Sequence, residues 1–121
     1  MPENIKFIGE SAFEHCKKLI NVKSINNFST LNRISYNAFY DCQSLLELNL
    51  LSSSLSMINA GAFNECSSLL NISFPNTLST LDSIFWGNYP ISKNISLSNI
   101  NIENTLISKL NNYQFANCKA L

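Results

Sequence analysis

The chain has 121 residues, enough for one domain with a modest core. Its 45% apolar content argues against disorder. Eight basic residues balance eight acidic ones with no basic run, which argues against nucleic acid, where cationic side chains supply most of the affinity. No stretch of about 18 apolar residues exists to span a membrane as a helix, and Met1 to Ile8 lacks the charged and apolar regions of a signal peptide.

The 19 Asn and 18 Ser residues leave the polar positions mostly uncharged. Such side chains belong in turns or on solvated faces, where they bond nearby backbone groups.

Along the chain one unit recurs. It opens on Ile8, continues through Ala12-Phe13-x-x-Cys16-x-x-Leu19, and leads to Val22, with Ser24 breaking the alternation that follows. Asn26 to Ser29 reads as an inserted loop. The second copy runs from Ile34 through Ala38-Phe39-x-x-Cys42-x-x-Leu45 to Leu48 and Leu50. The third runs from Ile58 through Ala62-Phe63-x-x-Cys66-x-x-Leu69 to Ile72 and Phe74. The fourth is degenerate: Leu81, then Phe85-Trp86-x-x-Tyr89-x-x-Ser92, then Ile95 and Leu97, with Asn99 to Asn104 read as a second inserted loop. The fifth has Leu110 and Gln114-Phe115-x-x-Cys118-x-x-Leu121. Aromatic-to-aromatic spacings are 26, 24, 23 and 29 residues.

Period-2 burial after each block predicts a short strand. The spacings of three inside the block suit one helical or 3₁₀ turn. A unit of about 23 residues cannot bury its own apolar side, so the copies must stack. The expected fold is an α/β repeat solenoid: a parallel sheet on the concave face, with short helical or 3₁₀ turns and loops on the other side. It forms a single domain over 1–121, about five units, truncated at both ends.

These residues resemble the BspA-type leucine-rich repeat, whose unit runs roughly Ile-x-x-x-Ala-Phe-x-x-Cys-x-x-Leu-x-x-Ile-x-Ile-Pro. Three copies match closely, with Pro75 following the third strand. The resemblance implies an adhesion and protein-interaction module of a surface protein of bacteria or parasitic protists, without catalytic activity. A cell-surface or extracellular site is implied with it; the residues themselves leave the cytoplasm open.

Cys16, Cys42, Cys66 and Cys118 hold equivalent positions and lack the close pairing of a zinc site, so a ladder of structural thiols is expected, with no metal and no cofactor. His15 shares its position with Asp41, Glu65 and Asn117, the pattern of a variable solvated turn, and no triad accompanies it. The sequons at Asn27, Asn71 and Asn94 are no more than this composition predicts. Binding is placed on the concave sheet face, where the outward residues are Asn21, Lys23 and Ile25; Glu47, Asn49 and Leu51; Asn71, Ser73 and Pro75; and Asn94, Ser96 and Ser98. From these, Asn21, Lys23, Glu47, Asn49, Asn71, Ser73, Asn94 and Ser96 are the ligand-binding candidates. Tyr36, Tyr40 and Tyr113 near the turns offer side anchors.

The leading reading is therefore a non-enzymatic module for a protein partner such as a host extracellular matrix or cell-surface protein, with self-association through open repeat ends. Beside it stand a structural spacer or intracellular scaffold segment and, from another class, a carbohydrate-acting solenoid enzyme. The last needs clustered carboxylates along a groove, and only Glu47 of the eight acids falls on the predicted face.

Overall fold

The computed structural model describes residues 5–22, 28–51, 53–81, 98–101 and 105–107. Within them seven short strands form two parallel sheets. The first sheet contains β1 (Phe7–Ile8), β2 (Arg33–Ile34), β4 (Met57–Ile58) and β6 (Thr80–Leu81), in that order. The second contains β3 (Glu47–Asn49), β5 (Asn71–Ser73) and β7 (Asn99–Asn101). Units two and three thus each give one strand before the Ala-Phe block and one after it, while unit one gives β1 alone among the described residues. The first sheet was not predicted: its strands are two residues long, too short to show alternation.

Register follows the repeat. Ile8 pairs with Ile34 and Ile34 with Ile58, while Leu48 pairs with Ile72. The same residue type therefore stacks on itself. Ile34, Ile58, Leu48 and Ile72 are buried together with the block residues Ala38, Phe39, Cys42 and Leu45 and their copies Ala62, Phe63, Cys66 and Leu69. Another ladder lies two residues before the first-sheet strands, at Leu31, Leu55 and Leu78, all fully buried, flanked by Ile5 and Ile107. The Phe13, Phe39 and Phe63 rings stack at centroid distances of 5.1 and 5.4 Å with interplanar angles of 8° and 14°. Burying one such ring stabilises by about 1.5–3 kcal/mol, plus about 0.5–1.5 kcal/mol for the aromatic pair.

The block is not the helical turn its spacing suggested. It is a run of β-turns in which alternate N–H groups serve different partners. Ala12, Glu14 and Cys16 donate within the unit, to Gly9, Ser11 and Phe13. Ser11, Phe13 and His15 donate instead to Tyr36, Ala38 and Tyr40 of the next unit. The second block repeats this: Asn37, Phe39 and Asp41 reach Ala60, Ala62 and Asn64. A helix would turn every N–H along its own axis and leave the junctions between units unbonded. The alternation requires left-handed backbone two residues either side of the aromatic. Ser11, Asn37 and Gly61 take it before the aromatic, with φ of 54°, 52° and 72°. His15, Asp41 and Glu65 take it after, with φ of 58°, 57° and 59°. Only Gly61 is free of the steric cost, and a Cβ there would land on the Asn37 side-chain oxygen.

The hydroxyls act over a longer range than local turn bonding would suggest. Those of Thr30, Ser44, Ser54, Ser56, Thr77 and Ser79 donate to carbonyls of Ile5, Lys17, Ser29, Asn32, Leu55 and Ser56, each in the stacked neighbour. Part of the Ser and Thr content thus joins units to one another.

Two expectations are corrected by the register of β7. Asn71 pairs with Asn99, Ile72 with Ile100 and Ser73 with Asn101. The strand stacked on β5 is therefore not built on Ile95 and Leu97, and Asn99 to Asn101 are strand, not inserted loop. Ile100 follows Trp86 by 14 residues where Ile72 follows Phe63 by nine, so the extra length precedes the strand. Pro75 is the other correction: it is buried. Strand β5 stops at Ser73, and the Pro75 carbonyl accepts the Leu78 N–H in a turn, so the in-out alternation does not extend to it. The loop read at Asn26 to Ser29 includes a 3₁₀ turn at Phe28–Thr30; Asn26 and Asn27 lie outside the described residues.

Candidate interaction surface

The second sheet carries the predicted row. In β3 and β5 the central Leu48 and Ile72 point inward, so Glu47, Asn49 and Asn71 are exposed and Ser73 half-exposed. Register sets Glu47 beside Asn71 and Asn49 beside Ser73, and Asn99 continues the row, its side-chain amide donating to Asn71 Oδ1 at 3.1 Å. A shallow depression of about 350 Å³ crosses all three strands, lined by Glu47, Leu48, Asn49, Asn71, Ile72, Ser73 and Asn99. Of the predicted candidates, Glu47, Asn49, Asn71 and Ser73 come together there. Asn21 is exposed one unit earlier. Lys23, Asn94 and Ser96 lie outside the described residues, and Asn99 and Asn101 hold the fourth-unit places once assigned to Asn94 and Ser96.

Sequence reasoning missed the row directly beside this one. The Leu46 N–H donates to the Ile20 carbonyl and the Leu70 N–H to the Leu46 carbonyl, at 3.0 and 2.8 Å, so the three residues stack. Their side chains are 55%, 43% and 43% exposed, a repeated exposure that isolated surface leucines would not show. The signal was present as the doublets Leu19-Ile20, Leu45-Leu46 and Leu69-Leu70, in which the first member is core and the second is not. Ser98 takes the next place, its N–H on the Leu70 carbonyl, and ends the apolar row.

The block side holds a polar cluster. Asp41, at a position expected to be a solvated turn, is buried. Its Oδ2 accepts from His15 Nδ1 at 2.8 Å and lies 3.4 Å from Lys17 Nζ, while Oδ1 accepts from Gln43 Nε2 at 2.7 Å. Burial alone would raise the Asp41 carboxyl, but the hydrogen bonds from His15, Gln43 and Lys17 outweigh it and hold the group below its ordinary value. The ionised carboxylate only accepts, so Nδ1 of His15 carries the proton. Tyr40 meets the His15 ring edge-on at 5.5 Å and donates its hydroxyl to Glu65 Oε1 at 3.2 Å. Burial and the Glu65 carboxylate raise the Tyr40 phenol. This position in the stack thus bridges three units.

The thiols are free at Cys16, Cys42 and Cys66. Cys42 Sγ donates to the Phe13 carbonyl at 3.0 Å and Cys66 Sγ to the Phe39 carbonyl at 3.1 Å, one unit back in each case. Burial pushes the Cys42 thiol up to about 12, with the neighbouring Cys16 adding to it, and burial raises Cys66 as well. Thiols kept protonated are poor nucleophiles and poor metal ligands. Among the described residues no cluster of His, Cys, Asp and Glu has the arrangement of a metal site, and no helix is long and apolar enough to cross a membrane.

Repeating strands joined by a fixed Leu- and Phe-bearing turn, stacked in parallel register with an exposed row on the strand after the turn, define a leucine-rich repeat protein. The chain belongs to the BspA-type family of these: the family model for the BspA type leucine rich repeat region matches residues 1–121 in six copies. Neither a curated protein nor a solved structure gave a significant match.

Proposed function

We propose that this chain is a non-enzymatic protein-interaction module, a solenoid whose second sheet is the concave face and receives a protein partner. One observation carries the reading: the depression across β3, β5 and β7, where Glu47, Asn49, Asn71, Ser73 and Asn99 converge beside the exposed Ile20, Leu46 and Leu70. A polar row offers directional hydrogen bonds, and an adjacent apolar row offers area to bury, the pairing that protein interfaces use. Glu47 is the one carboxylate lining the depression, so the paired acids of a glycoside-cleaving groove are not assembled there. Family membership supports an adhesive role at a cell surface; extracellular-matrix or host surface proteins are the partners this reading proposes.

The test is binding of the purified chain to immobilised matrix proteins, with Asn49→Ala, Asn71→Ala and Ser73→Ala combined. Loss of at least tenfold in affinity with an unchanged melting temperature is expected. Equal affinity in the triple variant would reject this face.

A further inference from the structure

The polar row on β3, β5 and β7 has a direction to its hydrogen bonding. Asn49 Oδ1 accepts the Leu51 N–H at 3.1 Å, and Asn71 Oδ1 accepts from the Asn99 side-chain amide at 3.1 Å. Both oxygens are engaged within the chain, so Asn49 and Asn71 present their amide N–H groups outward. Carbonyl oxygens of a partner are the groups that fit them.

Glu47 stands apart in this row. It is exposed, it is the one carboxylate lining the depression, and among the described residues it shares no ion pair and no side-chain hydrogen bond. The ion pairs of the described residues gather instead on the block side, at Glu14, His15, Lys17 and Asp41. A carboxylate in this state repels an acidic partner and attracts a cationic one. A second copy of the same face would bring another carboxylate and another set of outward amide donors, so it is not the complement. Apolar side chains border the charge. Leu46 immediately precedes Glu47, Leu70 stacks on Leu46, and exposed Leu51 lies beyond Asn49.

We propose that this face takes a basic, aliphatic-flanked segment of a protein partner. Its Lys or Arg cation sits on the Glu47 carboxylate, its backbone carbonyls accept from Asn49 and Asn71, and the aliphatic side chains beside the cation cover Leu46 and Leu70. This partner chemistry rests on the second sheet being the interaction face, and it adds the charge that the partner must carry there. The apolar row supplies area to bury, while the single ion pair selects among partners that offer the same area.

The test follows backbone amide chemical shifts of the isotope-labelled chain during titration with acetyl-Leu-Arg-Leu-amide and with its neutral citrulline counterpart. The arginine peptide is expected to shift the amides of Leu46, Glu47 and Asn71. It should bind about two- to fivefold more tightly than the citrulline peptide, the range of one solvated ion pair, and the preference should shrink as sodium chloride is raised. Glu47→Gln keeps the size of an exposed side chain, and its spectrum verifies the fold; it is expected to bind both peptides equally. Equal binding by the native chain overturns the proposal. So does a preference that survives Glu47→Gln, or an arginine peptide that leaves this face unshifted. Immobilised matrix proteins separate this result from the adhesive reading. Matrix binding lost in the Asn49, Asn71 and Ser73 triple variant but equal in Glu47→Gln keeps the face and overturns the basic segment. Charge-selective peptide shifts on the face, with matrix binding unchanged in the triple variant, support the basic segment and reject the matrix proteins.

Discussion

The block Ala-Phe-x-x-Cys-x-x-Leu appears at 12–19 and again at 38–45 with the same four residue types, and the two copies have different fates. In unit two the block is enclosed by a unit on either side, and its Ala, Phe, Cys and Leu have no solvent contact; in unit one the second neighbour is missing among the described residues, and the same side chains are part-exposed. Burial here belongs to the junction between units, as expected of an array whose stability is a sum of unit and interface terms.

The largest effect expected from this difference is at the aromatic. Phe39→Ala removes a ring stacked on both faces and should cost about 3–5 kcal/mol, whereas Phe13→Ala, stacked on one face, should cost about 1–2 kcal/mol. Chemical denaturation of both variants measures the ratio, and equal losses would break the comparison. The next effect is at the left-handed positions. Gly61→Ala adds a Cβ at φ 72° against Asn37 and should cost about 1–3 kcal/mol, while Ser11→Gly, where the strain falls on a serine, should be neutral or slightly stabilising.

A smaller effect attaches to Asp41. Asp41→Ala should cost about 1–2 kcal/mol at neutral pH through the lost charge-assisted hydrogen bonds. Because the folded carboxyl lies below its ordinary value, its contribution is present above the unfolded value near 3.9 and disappears as pH falls through the lower folded one. Unfolding free energies measured downward from neutral pH should therefore decline less steeply in Asp41→Asn than in the native chain. The smallest effect needs no mutation. A thiol reagent at neutral pH should label part-exposed Cys16 in the folded protein and spare Cys42 and Cys66 until denaturant is added, as read by peptide mass mapping. The raised thiols also set an alkaline limit. The unfolded chain ionises its cysteines near 8.5 while folded Cys42 holds its proton to about 12, so stability should fall across that interval as pH rises.

Much of the architecture was legible because stacking places like residues on like residues. Ile8, Ile34 and Ile58, or Leu48 and Ile72, declare their ladders by spacing alone. The first sheet was not legible, since two-residue strands have no period. The turns of the block were hidden because five of the six left-handed positions hold Ser, His, Asn, Asp or Glu, and only Gly61 carries the usual mark. The position of β7 could not be read because nothing in the stretch after Trp86 distinguishes inserted residues from strand; Ile95 and Ile100 are equally apolar. On the candidate face, Glu47, Asn49, Asn71 and Ser73 followed from alternation. Leu46 and Leu70 lie just before β3 and β5, where alternation does not apply, and Ile20 stacks on Leu46.

The split use of backbone donors in the block has a consequence for how such a chain varies over time. Both block junctions among the described residues close with the same set of bonds, from Phe13 to Ala38 and from Phe39 to Ala62, whatever the outward residues are. Duplicating or deleting one whole unit of about two dozen residues would leave every remaining junction chemically identical. A single-residue insertion inside the block would instead exchange the inward-bonding and outward-bonding N–H groups over its whole length. Length and surface are therefore free to change by entire units, and the phase of the block is not. In the fourth unit the strand β7 keeps its register on β5 although Ile100 follows Trp86 by five more residues than Ile72 follows Phe63.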